Sequence, residues 1–334
     1  MDSAGEGGSG GGTTDTHACP GGVDGENRRG RCGDLKCGAE SCCESLLVPG
    51  GTMIRTEDIL DGGVAELIVA PFLLDKFEVT VGRFRQYIED YDRARPAEDD
   101  GAHPLIPYSG WYGWFDGFLP ATQSDLLTWI HCQNYTVPTP ANHHCIPRIL
   151  CECQSQTEWV TWTDAAGPNE SLPVNFVNWY MAFAFCIWDG GRLPTEGEWE
   201  FAAAGGAERR VYPWGDAPPT PEYANYGAEG DAPFAGLVPV GTRPLGNGRW
   251  GHSDLAGNAA EWVLDYASES LPASCENCAN LEAQVPVDAT ELSRVVRGGW
   301  ARGGPTDIRV AARGIGPPDG SGVGFRCARD VVGK

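Results

Sequence analysis

The sequence predicts a fold that mixes short helices and strands with long irregular connections. Glycine (46) and proline (25) together exceed a fifth of the 334 residues, and both residue types interrupt regular structure. Twelve tryptophans supply large side chains that can fill a core where regular elements are few. The length is sufficient for one large domain or two small ones.

The charge of the chain excludes two classes of partner. A formal net charge of −22 repels nucleic acid and anionic membranes. No apolar run is long enough to span a bilayer. We therefore expect no nucleic-acid partner and no transmembrane segment, although a few of the carboxylates are suited to hard cations such as calcium.

The cysteine content indicates an oxidising compartment. Thirteen cysteines are unusual for a reduced cytosolic protein. The opening segment, MDSAGEGGSGGGTTDTHACPGG, has no apolar export signal. Many cysteines without a visible export signal can be explained in three ways. A signal lies upstream, the mature chain is shown, or the cysteines bind metal in the cytosol. We favour a secreted, cell-surface or periplasmic protein whose signal is not visible in this chain.

Residues 1–45 are predicted to be a glycine-rich tether followed by a cysteine-rich segment, and residues 46–334 a folded domain. The cysteine spacing lacks the paired two-residue gaps of zinc ribbons. A small disulfide knot is therefore favoured over a zinc site. The cysteines of this segment are Cys19, Cys32, Cys37, Cys42 and Cys43.

The first half of the domain carries signals for strands and one helix. The run LLVPGGTMIRT predicts a strand, a turn and a second strand, and Pro71–Thr80 predicts another strand. Thr80 is suited to cap a helix with an apolar face at helical spacing. That face consists of Phe84, Tyr87, Ile88 and Tyr91.

An insertion at residues 92–170 is predicted to be irregular. Its even number of cysteines suggests two local bridges, whose pairing the sequence leaves open. A metal cluster that includes His143 and His144 is the alternative, and exposed loop histidines between bridged cysteines are favoured over it. The cysteines are Cys132, Cys145, Cys151 and Cys153.

Two helices follow the insertion. Asn178 is the predicted cap of an apolar helix that runs through WYMAFAFCIW. Thr195 and Glu198 have the spacing of a capping box at the start of the next helix, and Gly205–Gly206 is expected to end it. Turns and short strands then lead to VGFRCARD.

These segments, in this order, resemble the formylglycine-generating enzyme family, also called sulfatase-modifying factors. The resemblance covers about residues 46–330 apart from the insertion, and it implies the family's compact, irregular α+β variant of the C-type lectin fold. The matching blocks are LVPGGTM, FLLDKFEVTVGRF, LPVNFVNWYMAFAFCIW, GRLPTEGEWEFAAAGG, YPWGD, ANY, DLAGNAAEW, VVRGGW and GFRCA.

The resemblance implies one calcium site in the block DLAGNAAEW. The side chains of Asp254 and Glu261 and the carbonyls of Gly257 and Ala259 occupy the family's ligand positions, although the family more often has Asn at the first of them. Calcium prefers such a mixture of carboxylate and carbonyl oxygens. The alternative is a structural turn in which Asp254 caps a short helix.

A second family calcium site lies near the ANY block. Asn225, the carbonyl of Tyr226 and Phe234 match the family's ligand positions. The aspartate expected in the family falls on Ala232, and Asp231 is one residue early, so this site requires a one-residue shift in a loop.

The cysteine pattern of the family is only partly present. The resemblance implies a disulfide between Cys186 and Cys327, while Ala203 and Val310 replace the family's other bridge. Active members also bind Cu(I) through two thiolates after the RGG block and oxidise a substrate cysteine to formylglycine. Gly303 stands at the first of these positions, and the second falls in a short deletion, so we expect no copper site.

Three kinds of function remain open. We favour a non-catalytic module that binds a peptide, protein or glycan in the family groove, where Trp300, Arg302, Arg309, Arg313 and Arg326 would meet a carboxylate or sulfate. Pairing of the last three arginines inside the acidic fold is the alternative reading of those residues.

An active oxidase with relocated cysteines is the second hypothesis. The pair Cys275 and Cys278 is its candidate, although a local structural disulfide is favoured there. An iron-dependent sulfoxide synthase is set aside, because the six histidines lack the necessary spacing. A structural or adhesive surface protein tethered by residues 1–18 is the third hypothesis.

Overall fold

The computed structural model describes residues 32, 34–55, 65–130, 160–227, 236–267, 274–281, 293–318 and 322–331. In this part of the chain, helices are few and short, and strands are grouped into small sheets. This agrees with the α+β fold of low regular content that the sequence predicts. None of the helices found there has both the length and the apolar character needed to cross a membrane.

The regular elements appear in the chain as follows. The strands are β1 (Lys36–Cys37), β2 (Glu40–Ser41), β3 (Ser45–Val48), β4 (Gly51–Arg55), β5 (Ala65–Val69), β6 (Phe72–Asp75), β7 (Ala260–Tyr266), β8 (Ser274–Glu276), β9 (Arg294–Arg297), β10 (Gly314–Gly316), β11 (Val323–Phe325) and β12 (Ala328–Asp330). The α-helices are α1 (Val81–Asp90), α2 (Gln123–Ile130), α3 (Trp179–Trp188) and α4 (Glu196–Ala204).

Four of the five N-terminal cysteines form a disulfide knot on a hairpin of β1 and β2, and Cys19 lies outside the described residues. One bridge joins Cys32 to Cys43, and the other joins Cys37 to Cys42. The inner bridge packs in a small apolar cluster with Phe77 and Val240. The knot therefore lies against the rest of the domain.

The sheets link distant parts of the chain. Strands β3 and β12 flank β6, both antiparallel to it, so the two ends of the domain share one sheet. Strand β5 pairs with β4 and with β8, and the largest sheet has the order β10-β9-β7-β11. As predicted, β3 and β4 are separated by a turn at Gly50, whose φ is +71°. A Cβ there would lie 2.5 Å from the carbonyl oxygen of Val69.

Strand β6 is shorter than the strand predicted over Pro71–Thr80. It ends at Asp75, whose fully buried carboxylate belongs to a network of charged groups. Arg83 and Arg329 each bridge Asp75 to Asp189. The chain leaves the sheet at this point because the carboxylate is held by two guanidinium groups in the interior.

The predicted helix starts are confirmed. The side chain of Thr80 caps α1, and that of Asn178 caps α3, each accepting a backbone N–H three residues on. Thr195 and Glu198 form both hydrogen bonds of the capping box at α4. Gly205 ends α4 in the left-handed conformation, with φ of +69°, which glycine adopts without steric cost.

Part of the insertion at 92–170 belongs to the core. It contains α2 and a 3-10 helix at Gly113–Phe118. Trp111 and Phe115 are buried in the same apolar cluster as α1 and α3, so residues 92–130 are less irregular than predicted. The predictions for Cys132, Cys145, Cys151, Cys153, His143 and His144 lie outside the described residues.

A disulfide joins the two halves of the domain. Cys186 of α3 and Cys327, between β11 and β12, are bridged with a Cα–Cα distance of 5.4 Å, as the resemblance implied. Both residues are fully buried in the main apolar cluster. Ala203 and Val310, at the positions of the family's other bridge, pack in the second apolar cluster.

Candidate functional site

The segment after β9 forms a tight turn at the position where the resemblance places the family's first copper-binding cysteine. The N–H of Gly303 donates to the carbonyl of Trp300 at 2.7 Å. The N–H of Gly304 donates to the carboxylate of Asp307 at 2.8 Å, and the N–H of Asp307 donates back to Gly304 at 3.0 Å. A Cβ on Gly303 would lie 3.0 Å from the Cβ of Asp307. The turn is therefore closed by its own polar groups.

In the described part of the chain, no free thiol replaces the thiolate ligand that is missing at Gly303. All eight cysteines described there are in disulfides. Cys275 and Cys278, the candidate replacement pair, are bridged to each other. Within the same residues, no three His, Cys, Asp or Glu side chains are close enough to hold a metal by themselves.

The predicted groove residues separate into two groups. Trp300 is 47% exposed, and Arg302 and Arg309 are also exposed, so these three are placed where a ligand can reach them. Arg313 is mostly buried and donates to both carboxylate oxygens of Glu196, at 2.8 and 3.2 Å.

Arg326 is not a groove residue. It is fully buried and donates to both oxygens of Glu261 at 2.7 Å. Its remaining donors bond the carbonyls of Asp75, Lys76 and Ser253. The assignment to the groove was wrong because this guanidinium is saturated inside the fold. In this instance, the alternative of internal pairing is the correct one.

The block that the resemblance links to calcium lies beside Arg326. Glu261 is the second residue of β7, and its carboxylate also accepts from the indole of Trp199 at 2.9 Å. Asp254 accepts the N–H of Gly241 at 2.6 Å. Asp254 has a φ of +57°, and the next regular element of the described chain is strand β7, so Asp254 caps no helix.

A third carboxylate, which the sequence reasoning missed, completes this cluster. Glu78 is fully buried, and its two oxygens accept from the side chain of Asn258 and from the N–H of Ala259, each at 2.8 Å. The position of Glu78 between the apolar Phe77 and Val79 was the available signal, because a carboxylate is rarely buried without a partner.

The electrostatics of the cluster indicate excess negative charge. Burial, reinforced by Asp254 and Glu261, holds the pKa of Glu78 well above its usual value. Burial also raises the pKa of Asp254 to about 6, although the Gly241 N–H and Arg326 oppose this rise. Three buried carboxylates thus share one fully buried guanidinium, an arrangement that a divalent cation would neutralise.

The donor set fits calcium better than a soft metal. The side chains of Asp254 and Glu261 provide hard oxygen ligands, and the chain at Gly257 has a φ of +79°, which lets the backbone turn sharply. Because side chains alone do not suffice, carbonyls such as those of Gly257 and Ala259 would have to complete the shell, as is common for calcium.

The second calcium prediction is only partly within the described residues. The side-chain amide of Asn225 donates to the carbonyl of Gly236 at 3.0 Å and to Asn258 Oδ1 at 3.1 Å. Tyr226 donates its hydroxyl to Pro219 at 2.8 Å. Asp231 lies outside the described residues, so the second site remains a prediction.

With this geometry established, the similarity to known proteins can be assessed. The family model described as the sulfatase-modifying factor enzyme 1-like domain matches residues 34–331. The chain belongs to this family. A mouse relative named "Inactive C-alpha-formylglycine-generating enzyme 2" is 31% identical over 320 residues, covering 89% of each chain.

Other members of the sulfatase-modifying factor family are named as enzymes. The "Formylglycine-generating enzyme" of Thermomonospora curvata is 28% identical, over 86% of this chain and 93% of its own. Among solved structures, PvdO from Pseudomonas aeruginosa has a TM-score of 0.52 at 19% identity, with 87% of this chain and all of that chain covered. At this identity the likeness supports the shared fold alone.

Proposed function

We propose that this chain is an exported, calcium-stabilised member of the sulfatase-modifying factor family that binds a peptide or glycan and does not generate formylglycine. The turn at Gly303 is the observation that carries this proposal. The family's chemistry requires a soft cuprous ion held by two thiolates. Glycine has no donor atom, and the Asp307 carboxylate at this turn is a hard ligand already bonded to Gly304.

The names of the relatives support the proposal that a member of this family can lack the enzymatic activity. The mouse relative carries the word "Inactive" in its name and matches nearly the whole chain. The bacterial relative named as the active enzyme also matches nearly the whole chain. Overall similarity therefore does not separate the two cases, and the proposal rests on the residues at the copper position.

The ligand surface is proposed to be the region of Trp300, Arg302 and Arg309. An exposed indole offers a flat apolar face, and a guanidinium suits the planar oxygens of a carboxylate or sulfate. Acidic residues outnumber basic ones by 46 to 24 in this chain, so a surface with two exposed arginines differs in charge from the chain as a whole. These features favour an anionic group on an extended peptide or a glycan.

Calcium is proposed to bind at the carboxylates of Asp254 and Glu261 with carbonyls from Gly257 and Ala259. The buried negative charge around Glu78 supports this proposal, because a dication would offset it. We also propose export, since disulfides are abundant in the described residues and such bridges persist in oxidising compartments.

Activity is tested with a peptide that contains the Cys-x-Pro-x-Arg motif. The protein is reduced mildly, loaded with Cu(I), and incubated with the peptide and oxygen, with the Thermomonospora curvata enzyme as the positive control. We expect no formylglycine by mass spectrometry. Product formation, or a tight bis-thiolate copper centre in the spectrum, would contradict the proposal, and Cys275→Ser would then show whether the relocated pair is responsible.

Calcium binding is tested by calorimetry and thermal unfolding after treatment with a chelator. Calcium is expected to release or absorb heat and to raise Tm, since a ligand that binds only the native state stabilises it. Asp254→Ala should abolish both effects, whereas Glu222→Gln, at an exposed site elsewhere, should leave them unchanged. An absence of heat and of any Tm shift in the wild type would reject the calcium site.

A further inference from the structure

A second exposed surface lies on the 92–130 segment, away from the RGGW turn. It consists of Glu98, Asp99, Tyr108, Tyr112 and Trp114, and we call it the aromatic–acidic patch. Tyr108 is 78% exposed and Trp114 is 44% exposed. Exposed aromatic side chains that lie together mark surfaces for partners more often than isolated ones do.

Hydrogen bonds hold the patch together. The hydroxyl of Tyr112 donates to the carbonyl of Tyr108 at 2.9 Å. The carboxylate of Glu98 accepts the N–H of Gly113, between the two rings of Tyr112 and Trp114, at 2.7 Å. Burial raises the pKa of Tyr112, and Tyr266 and the nearby carboxylates of Asp99 and Glu98 contribute to that rise.

Tyr108 does not serve the fold. Its φ is +60°, a conformation that bulky residues adopt rarely and at a cost. Among the described residues its ring makes no aromatic contact, and its side chain stands mostly in water. Glycine or asparagine would suit this backbone better, so the exposed ring of Tyr108 adds little to the stability of the fold.

The charge around these rings indicates the partner. Glu98, Asp99, Asp100 and Asp116 are exposed, and none has an ion-pair partner within the described part of the chain. A guanidinium group can stack on an exposed aromatic ring and pair with a carboxylate at the same time. We propose that the aromatic–acidic patch docks an arginine-rich segment of a partner protein.

This surface differs from the proposed ligand groove. Tyr112 lies near Tyr266, the last residue of β7. The RGGW segment begins at Arg297, which lies opposite Glu261 near the start of β7. A strand rises about 3.3 Å per residue, so the two surfaces are on the order of 15 Å apart. The patch is therefore a separate surface from the proposed groove.

Binding of a fluorescent peptide of alternating Arg and Gly tests the proposal, with lysine and neutral citrulline counterparts. We expect the arginine peptide to bind best and the citrulline peptide not at all. Trp114→Ala and Tyr108→Gly should each weaken binding about two- to fivefold. Asp99→Asn should weaken it and reduce its dependence on salt, and asparagine tolerates the φ of +66° at that position.

Two controls separate this surface from general attraction to an acidic chain. Leu245→Ala and Glu222→Gln change an exposed apolar side chain and an exposed carboxylate elsewhere, and both should bind like the wild type. Tyr108→Gly should melt no lower than the wild type, because the backbone strain is relieved.

Several results would overturn the proposal. Equal losses in the control variants would mean that the peptide senses only net charge. Unchanged affinity in Trp114→Ala and Tyr108→Gly would remove the rings from the site. Binding of a neutral oligosaccharide to the patch, or self-association of the protein that Trp114→Ala abolishes, would assign the surface to a different occupant.

Discussion

Removal of the Cys186–Cys327 bridge should be the most destabilising change among the described disulfides. The bridge closes a loop of 141 residues. In the chain-entropy model, a cross-link of this span lowers the entropy of the unfolded chain enough to raise the free energy of unfolding by about 5 kcal/mol. The double variant Cys186→Ala/Cys327→Ala should therefore melt lower by on the order of 10 °C.

The matched control is the bridge of smallest span among the described residues. Cys275 and Cys278 are three residues apart, and the same model assigns that bridge only about 1.5 kcal/mol. Calorimetric melting in non-reducing buffer compares Cys275→Ala/Cys278→Ala with the first double variant. If the two variants melt at the same temperature, loop entropy is not the source of the stabilisation, and the reasoning from span fails.

Three further predictions concern buried charges. Burial would raise the pKa of Glu198, but Arg192 outweighs it and lowers the pKa to about 2. The contribution of ionised Glu198 to the free energy of unfolding is present above pH 4.5 and is lost as pH falls toward 2. Glu198→Gln should therefore cost about 3 kcal/mol in urea unfolding at pH 7 and little at pH 2. Burial and then a neighbouring glutamate raise the pKa of Asp265 to about 7. Wild-type stability should therefore decline as pH rises from about 4 through 7, and this slope should be smaller in Asp265→Asn, where only the raised pKa values of Glu78 and Asp254 remain, even if its baseline is lower. Arg326→Met leaves Glu261 as an unpaired buried charge and should cost about 3–5 kcal/mol in chemical unfolding. The control Arg309→Met, which replaces an exposed arginine, should cost little. A loss under 1 kcal/mol in Arg326→Met would contradict the buried pair.

The local signals of the sequence were sufficient for the helix ends. Thr80, Asn178 and Thr195 were predicted as caps, and each makes the expected hydrogen bond. A cap is decided by residues within one turn, so the sequence contains all the information needed. The family and its fold were likewise predictable, because they depend on many short blocks in a fixed order.

Long-range pairing explains what the sequence did not show. Arg326 and Glu261 are 65 residues apart, and neither residue type reveals by itself which carboxylate an arginine will meet. The same holds for Glu78, which reaches Asn258 across 180 residues. The early end of β6 also depends on a distant partner, since Arg329 comes from the last strand.

The disulfide knot has a practical consequence for anyone who expresses this protein. A fragment that begins at Leu46 would lack Cys37 and Cys42, which now cover Phe77 and Val240. It would also cut into β3, the strand that begins at Ser45. Such a fragment would expose an apolar surface at a sheet edge and would be prone to aggregation. Recombinant fragments should therefore start upstream of Cys32.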